Sequence, residues 1–121
     1  MKRLMVKRSD IIKILQSWRN GEITTKSVWE WANERYMPGE TEFDDWEDEC
    51  SAANEVLCEL DSLDMNLVLA EDIPIHIDFL QTPKGKFEVG YQKWRGRIES
   101  IDFKQRCQKL KGHEIYGPFC K

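Results

Sequence analysis

The sequence predicts an all-α fold, a compact single-domain bundle of five to six helices. Three observations point there. Apolar residues recur at helical spacing in successive segments, capping and stopping residues bracket those segments, and only one short stretch alternates as a strand would. A chain of 121 residues has the length of one domain and buries about two-thirds of its unfolded surface. Five tryptophans among 40% apolar residues argue against disorder.

The elements follow in order. Residues 1–8 are expected to be a flexible start. In SDIIKILQSWRNG, Ser9 is read as an N-cap, Ile11, Ile12, Leu15 and Trp18 share one helical face, and Gly21 suits the left-handed residue after a helix end. In TTKSVWEWANERYMPG, the helix starts at Thr24 or Thr25, presents Val28, Trp29, Ala32 and Tyr36, and stops at Pro38 and Gly39. Residues 39–45 are an acidic loop. It leads into a long helix whose stripe is Trp46, Ala53, Val56, Leu57, Leu60 and Leu63, with Asp48, Glu55 and Glu59 opposite. Carboxylates crowd the start of that helix, where the helix dipole favours them. Ile73, Ile75, Ile77 and Phe79 alternate with Pro74, His76 and Asp78 as in a strand, yet Asp72 suits a cap, Pro74 the first turn, and Ile73, Ile77 and Leu80 a helical stripe. A short helix is favoured, because a lone strand has nothing to pair with. After the TPKG turn come two basic helical segments, KFEVGYQKWRGRIES and DFKQRCQKLKG, and the tail HEIYGPFCK.

No apolar run approaches the roughly 20 residues that span a bilayer. The basic start MKRLMVKRSD has no apolar core or cleavage site of a secretory signal. A cytoplasmic protein with reduced thiols is expected, with Cys50, Cys58 and Cys107 in or near the core and Cys120 exposed.

Charge is the main signal. Residues 1–39 hold eight Lys/Arg and four Asp/Glu, residues 40–82 hold fourteen Asp/Glu and no Lys or Arg, and residues 83–121 hold ten basic and four acidic residues. The net charge of −4 therefore hides local balances of +4, −14 and +6. Helical surfaces usually intersperse the signs. Within GETEFDDWEDEC, residues 39–50, seven carboxylates surround Phe43 and Trp46.

A calcium loop alternates its ligands and needs a glycine at its turn, and TEFDDWEDEC does neither. Neither histidine follows a glutamate by three positions, as a di-metal bundle requires, and histidines and cysteines are scattered too singly for zinc. His76 reads as a satisfied, partly buried side chain. Cys107 with His113, or Cys58 with His76, has no local sequence support as a nucleophile and base, and no glycine-rich phosphate loop is present. No metal, cofactor or enzymatic activity is expected. A small carboxylate-based hydrolase is the third reading.

Two binding readings remain. Lys84, Lys86, Lys93, Arg95, Arg97, Lys104, Arg106, Lys109 and Lys111 are interleaved with Phe87, Tyr91, Trp94 and Phe103, which gives a regulatory or nucleic-acid-binding reading of residues 84–111. Helices 9–20 and 25–37 superficially resemble a helix-turn-helix, but the second offers mostly tryptophans and glutamates to a groove, and the chain is acidic overall. Direct nucleic-acid contact is not the leading expectation. The other reading is a basic protein partner. Glu40, Glu42, Asp44, Asp45, Asp48 and Glu49 would form its electrostatic surface, with Phe43 and Trp46 as apolar anchors. The competing possibility is that the basic 83–121 helices fold back and neutralise the acidic run.

The stretches ILQSWRNGEITTKSVWEWANERYMPGETEF and NEVLCELDSLDMNLVLAEDIPIHIDFL are similar to small, mostly helical bacterial immunity proteins encoded beside contact-dependent growth-inhibition toxins. The resemblance covers residues 9–116. It implies a cytosolic inhibitor of one cognate toxin, an RNA-cleaving nuclease among the candidates, and it carries over no inhibitory residue set.

Overall fold

The computed structural model describes residues 4–120. Within them lie six α-helices: α1 (Arg8–Arg19), α2 (Thr25–Arg35), α3 (Ala52–Asp61), α4 (Ile73–Leu80), α5 (Phe87–Glu99) and α6 (Phe103–Leu110). Short 3-10 turns at Ala70–Asp72 and Gly117–Phe119 precede α4 and close the chain. The fold is mostly helical, as the periodicities predict.

Each helix forms where its apolar stripe meets a partner. Ile11, Leu15 and Trp18 of α1, Val28 and Ala32 of α2, Val56, Leu57 and Leu60 of α3, and Ile73 and Leu80 of α4 are buried in one core. α2 lies on α3, α1 rests on α3 and α4, and α4 carries α5. The ambiguous stretch at 73–80 is helical: Pro74 sits in its first turn, where no amide partner is needed, and Ile73, His76, Phe79 and Leu80 are buried at helical spacing while Pro74 and Asp78 stay exposed.

Three expectations are corrected. The start expected as a flexible segment over residues 1–8 contains a strand, while Met1–Arg3 lie outside the described residues. Met5–Val6 is a strand, β1, that pairs in parallel with β2 (Glu42–Phe43), Met5 opposite Glu42 and Val6 opposite Phe43. Val6 is 1% exposed, so its burial explains the ordering. The N-cap of α1 is Lys7 rather than Ser9, because the Asp10 carboxylate accepts the Lys7 amide at 3.0 Å. Finally, the expected helix from Trp46 begins only after Ser51, whose hydroxyl accepts the Asn54 amide at 2.9 Å.

The cysteines are also redistributed. Cys50 and Cys58 are exposed, Cys107 is half-buried, and Cys120 is buried. Cys58 falls on the outer face of α3, opposite Val56 and Leu57, and Cys120 is carried inward by the closing 3-10 turn.

Candidate functional site

The acidic loop joins α2 to α3, and its shape is set by a few buried polar contacts. Gly39 takes a φ of 82°, which a left-handed turn requires. Thr41 then clasps the end of α2. Its hydroxyl donates to the Arg35 carbonyl at 2.6 Å and accepts the Met37 amide at 2.8 Å. This reversal delivers Glu42–Phe43 to β1. Strand alternation turns Phe43 into the core and Glu42 outward.

Phe43 is 5% exposed, so it is a core residue and not the surface anchor expected from the sequence. It instead supports Trp46 edge-to-face, with ring centroids 5.8 Å apart at 73°. Trp46 remains 44% exposed. On one side of it lies a groove of about 370 Å³ lined by Tyr36, Met37, Pro38 and Asn54. On the other lies a smaller hollow of about 250 Å³ with Asp44, Glu47 and Lys84 on its walls.

Asp45 is also structural. Its carboxylate accepts Arg8 Nε at 2.6 Å, the Ala53 amide at 3.0 Å and the Ser51 hydroxyl, and its side chain is only 8% exposed. The carboxylate thereby caps the first turn of α3, so the dipole expectation holds through a tertiary contact. Arg8 completes the knot by donating from Nη1 to the carbonyls of Leu80 at 3.0 Å and Thr82 at 2.7 Å. Asp44 accepts the Arg8 amide at 3.1 Å and so supports the start of α1. Arg8 had no place among the sequence-derived candidates. It lies in the basic start, and these partners are 36 and more positions away.

The tip of the loop is a two-residue hairpin. The amides and carbonyls of Glu47 and Cys50 exchange hydrogen bonds of 2.7 and 2.9 Å. Asp48 and Glu49 between them have φ of 50° and 46°, the pair of left-handed residues that a type I′ turn demands. Asn-Gly would be cheaper there, so two outward carboxylates stand on strained backbone. Glu47 is tied back, its carboxylate accepting the Gly85 amide.

Among the described residues, Glu40, Asp48 and Glu49 are exposed and make no ion pair. The basic helices engage other acids. Arg106 holds Asp72 in two hydrogen bonds of 2.7 and 3.0 Å, and Asp78 takes Arg97 at 2.9 Å and Lys93 at 3.3 Å. The acidic face continues along α3. Burial pushes the carboxyls of Glu55 and Glu59 up, against the pull of Arg95, and burial and then Asp64 raise Asp61. A hydrogen bond with the Cys58 thiol, reinforced by burial, pushes the Tyr36 phenol up to about 12.

The aromatics of the basic segment are turned inward. Trp94 stacks on Phe79 with centroids 4.6 Å apart, Phe87 stacks on Tyr91 at 5.6 Å, and Trp94 Nε1 donates to His76 Nδ1 at 3.1 Å. α2 is likewise engaged, with Val28 and Ala32 buried and Trp29 Nε1 donating to the Asp61 carbonyl at 3.1 Å. These rings are taken up by the core, while Lys26, Ser27, Glu30, Asn33 and Glu34 form the exposed face of α2. Among the described residues no group of three or more His, Cys, Asp and Glu is placed to hold a metal ion, and no helix is long and apolar enough to cross a membrane.

No protein-family model, no curated protein and no solved structure matches the chain.

Proposed function

We propose that the protein binds and neutralises a basic protein partner through the acidic loop, as an immunity protein of the contact-dependent growth-inhibition type acting on a cognate toxin nuclease. One observation carries the reading. Glu40, Asp48 and Glu49 stand exposed and, among the described residues, without an ion pair on the same loop as exposed Trp46, a loop braced from below by Arg8, Asp45 and Thr41. A braced loop keeps its carboxylates apart without loss of order, so little conformational entropy opposes docking. Carboxylates so placed attract the lysines and arginines with which a nuclease grips phosphates. Trp46 and the groove beside Met37 and Pro38 suit the aliphatic stem and cationic head of one such side chain.

The test is complex formation with the product of the neighbouring gene, followed by association kinetics. Replacing Glu40, Asp48 and Glu49 together by their amides should slow association about tenfold at low salt and flatten its salt dependence. Unchanged kinetics would move the interface off this loop. Recovery of nucleic acid in place of a protein would favour the basic segment, where Lys84, Lys86, Lys104, Lys109 and Lys111 are exposed.

A further inference from the structure

We infer that Cys107 and Cys120 are a modification site, at which oxidation joins the two sulfurs and straps the end of the chain to α6. The placement of both residues is fixed from several sides. α6 is held by Arg106, which donates to Asp72 and to the Leu67 carbonyl at 2.9 Å. Beyond α6 the chain doubles back on itself. The Gly117 amide donates to the His113 carbonyl at 2.8 Å, and a Cβ at Gly117 would meet the Lys111 carbonyl oxygen at 2.7 Å, so this return needs glycine. Tyr116 is buried and donates its hydroxyl to the Val68 carbonyl. The Cys120 amide then donates to the Gly117 carbonyl at 3.0 Å. These contacts set the Phe119 carbonyl 3.7 Å from Cys107 Sγ and turn the next side chain, Cys120, inward to 3% exposure.

The two thiols differ in exposure, which sets the order of a stepwise oxidation. Burial, and then a hydrogen bond with the Cys107 thiol, push the Cys120 thiol up to about 11, so it stays protonated at neutral pH. Half-buried Cys107 is the sulfur that a dissolved oxidant reaches first. With a hydroperoxide as oxidant, Cys107 sulfur attacks the terminal oxygen, the O–O bond breaks, and water leaves with hydrogen peroxide as the reagent. The resulting sulfenic acid is attacked by Cys120 sulfur. The S–S bond forms as the S–O bond breaks, and the departing hydroxide leaves as a second water with the Cys120 proton. Two thiols lose two electrons and two protons, and the peroxide accepts both.

The remaining cysteines, Cys50 in the hairpin and Cys58 on α3, are exposed and distant in sequence, so replacing both by serine removes bystander thiols without opening the core. The test treats this Cys50→Ser, Cys58→Ser chain with hydrogen peroxide, then unfolds and alkylates it. The expected product has lost two hydrogens, takes no alkyl group and yields an unreduced peptide joining positions 107 and 120. It should form about tenfold faster than in the same chain unfolded in urea, because the folded chain holds the segment of Cys120 against Cys107. Adding Cys107→Ser should leave Cys120 reduced after the same treatment. A disulfide-linked dimer, a rate indifferent to urea, or an oxygenated Cys107 beside an alkylatable Cys120 would overturn the proposal.

Discussion

Arg8 and Asp45 are the pair on which the shape of the acidic loop depends. Both are largely withdrawn from water, and each has further partners: Leu80 and Thr82 carbonyls for Arg8, Ser51 and the Ala53 amide for Asp45. Removing one charge strands the other, so Arg8→Met or Asp45→Asn should each cost about 3 kcal/mol in urea unfolding. The double replacement should cost less than the two single losses added together, because they share one interaction. The opposite result is expected at the hairpin tip. Asp48→Asn with Glu49→Gly places residues suited to the left-handed region and should raise stability by about 1 kcal/mol, while slowing partner association. A stabler variant with unaltered association would separate the strained tip from binding. At this scale the sequence was only partly legible. Thr41 and Phe43 are buried between outward Glu40, Glu42 and Asp44, a period of two that the count of carboxylates obscured. Arg8 gave no local sign at all, since every partner of its guanidinium arrives from a distant segment.

The helices themselves were readable because each stripe repeats over several turns and each end carries a local signal, such as Thr24 before α2, Gly21 after α1, and Pro74 in α4. α3 was misjudged at its start. The spacing from Trp46 to Ala53 fits a helix, but the Glu47–Cys50 hairpin intervenes and Trp46 faces solvent. Leu57, fully buried at the centre of α3, should cost about 2–5 kcal/mol on replacement by alanine, measured by denaturant midpoint. The α4–α5 interface adds a pH dependence. Burial, aided by Arg97 and opposed by Asp72, lowers His76 from 6.5 to about 4, and its Nδ1 accepts the Trp94 indole. Between those values the unfolded chain binds a proton that the folded chain excludes. His76 therefore makes stability fall as pH drops from about 6.5 to 4, with a slope approaching about 1.4 kcal/mol per pH unit. Unfolding by urea across that range should show the loss, and a His76→Phe variant should lack this component.

Across the whole molecule, the basic helices pair with acids at 71–78, while in the acidic loop Asp45 pairs with Arg8 and, among the described residues, Glu40, Asp48 and Glu49 make no ion pair. The sequence announced the segregation but not which acids the basic helices would cover, because that choice is made by packing: α6 reaches Asp72 through Arg106, and α5 reaches Asp78 through Lys93 and Arg97. If the open acids guide a partner, association should slow steeply as ionic strength rises past the point where the screening length falls to about 8 Å, while dissociation changes little. Stopped-flow mixing over a salt series separates the two rates. Trp46 also makes the loop visible by light. Trp18 and Trp94 are buried, whereas Trp46 is open to collisions on a loop rich in carboxylates. Its fluorescence should be quenched more readily by caesium than by iodide, since the net negative charge of the loop concentrates one ion and repels the other. The molecule thus carries its own optical gauge of the electrical field at its surface, and anything that settles on the loop will change the reading.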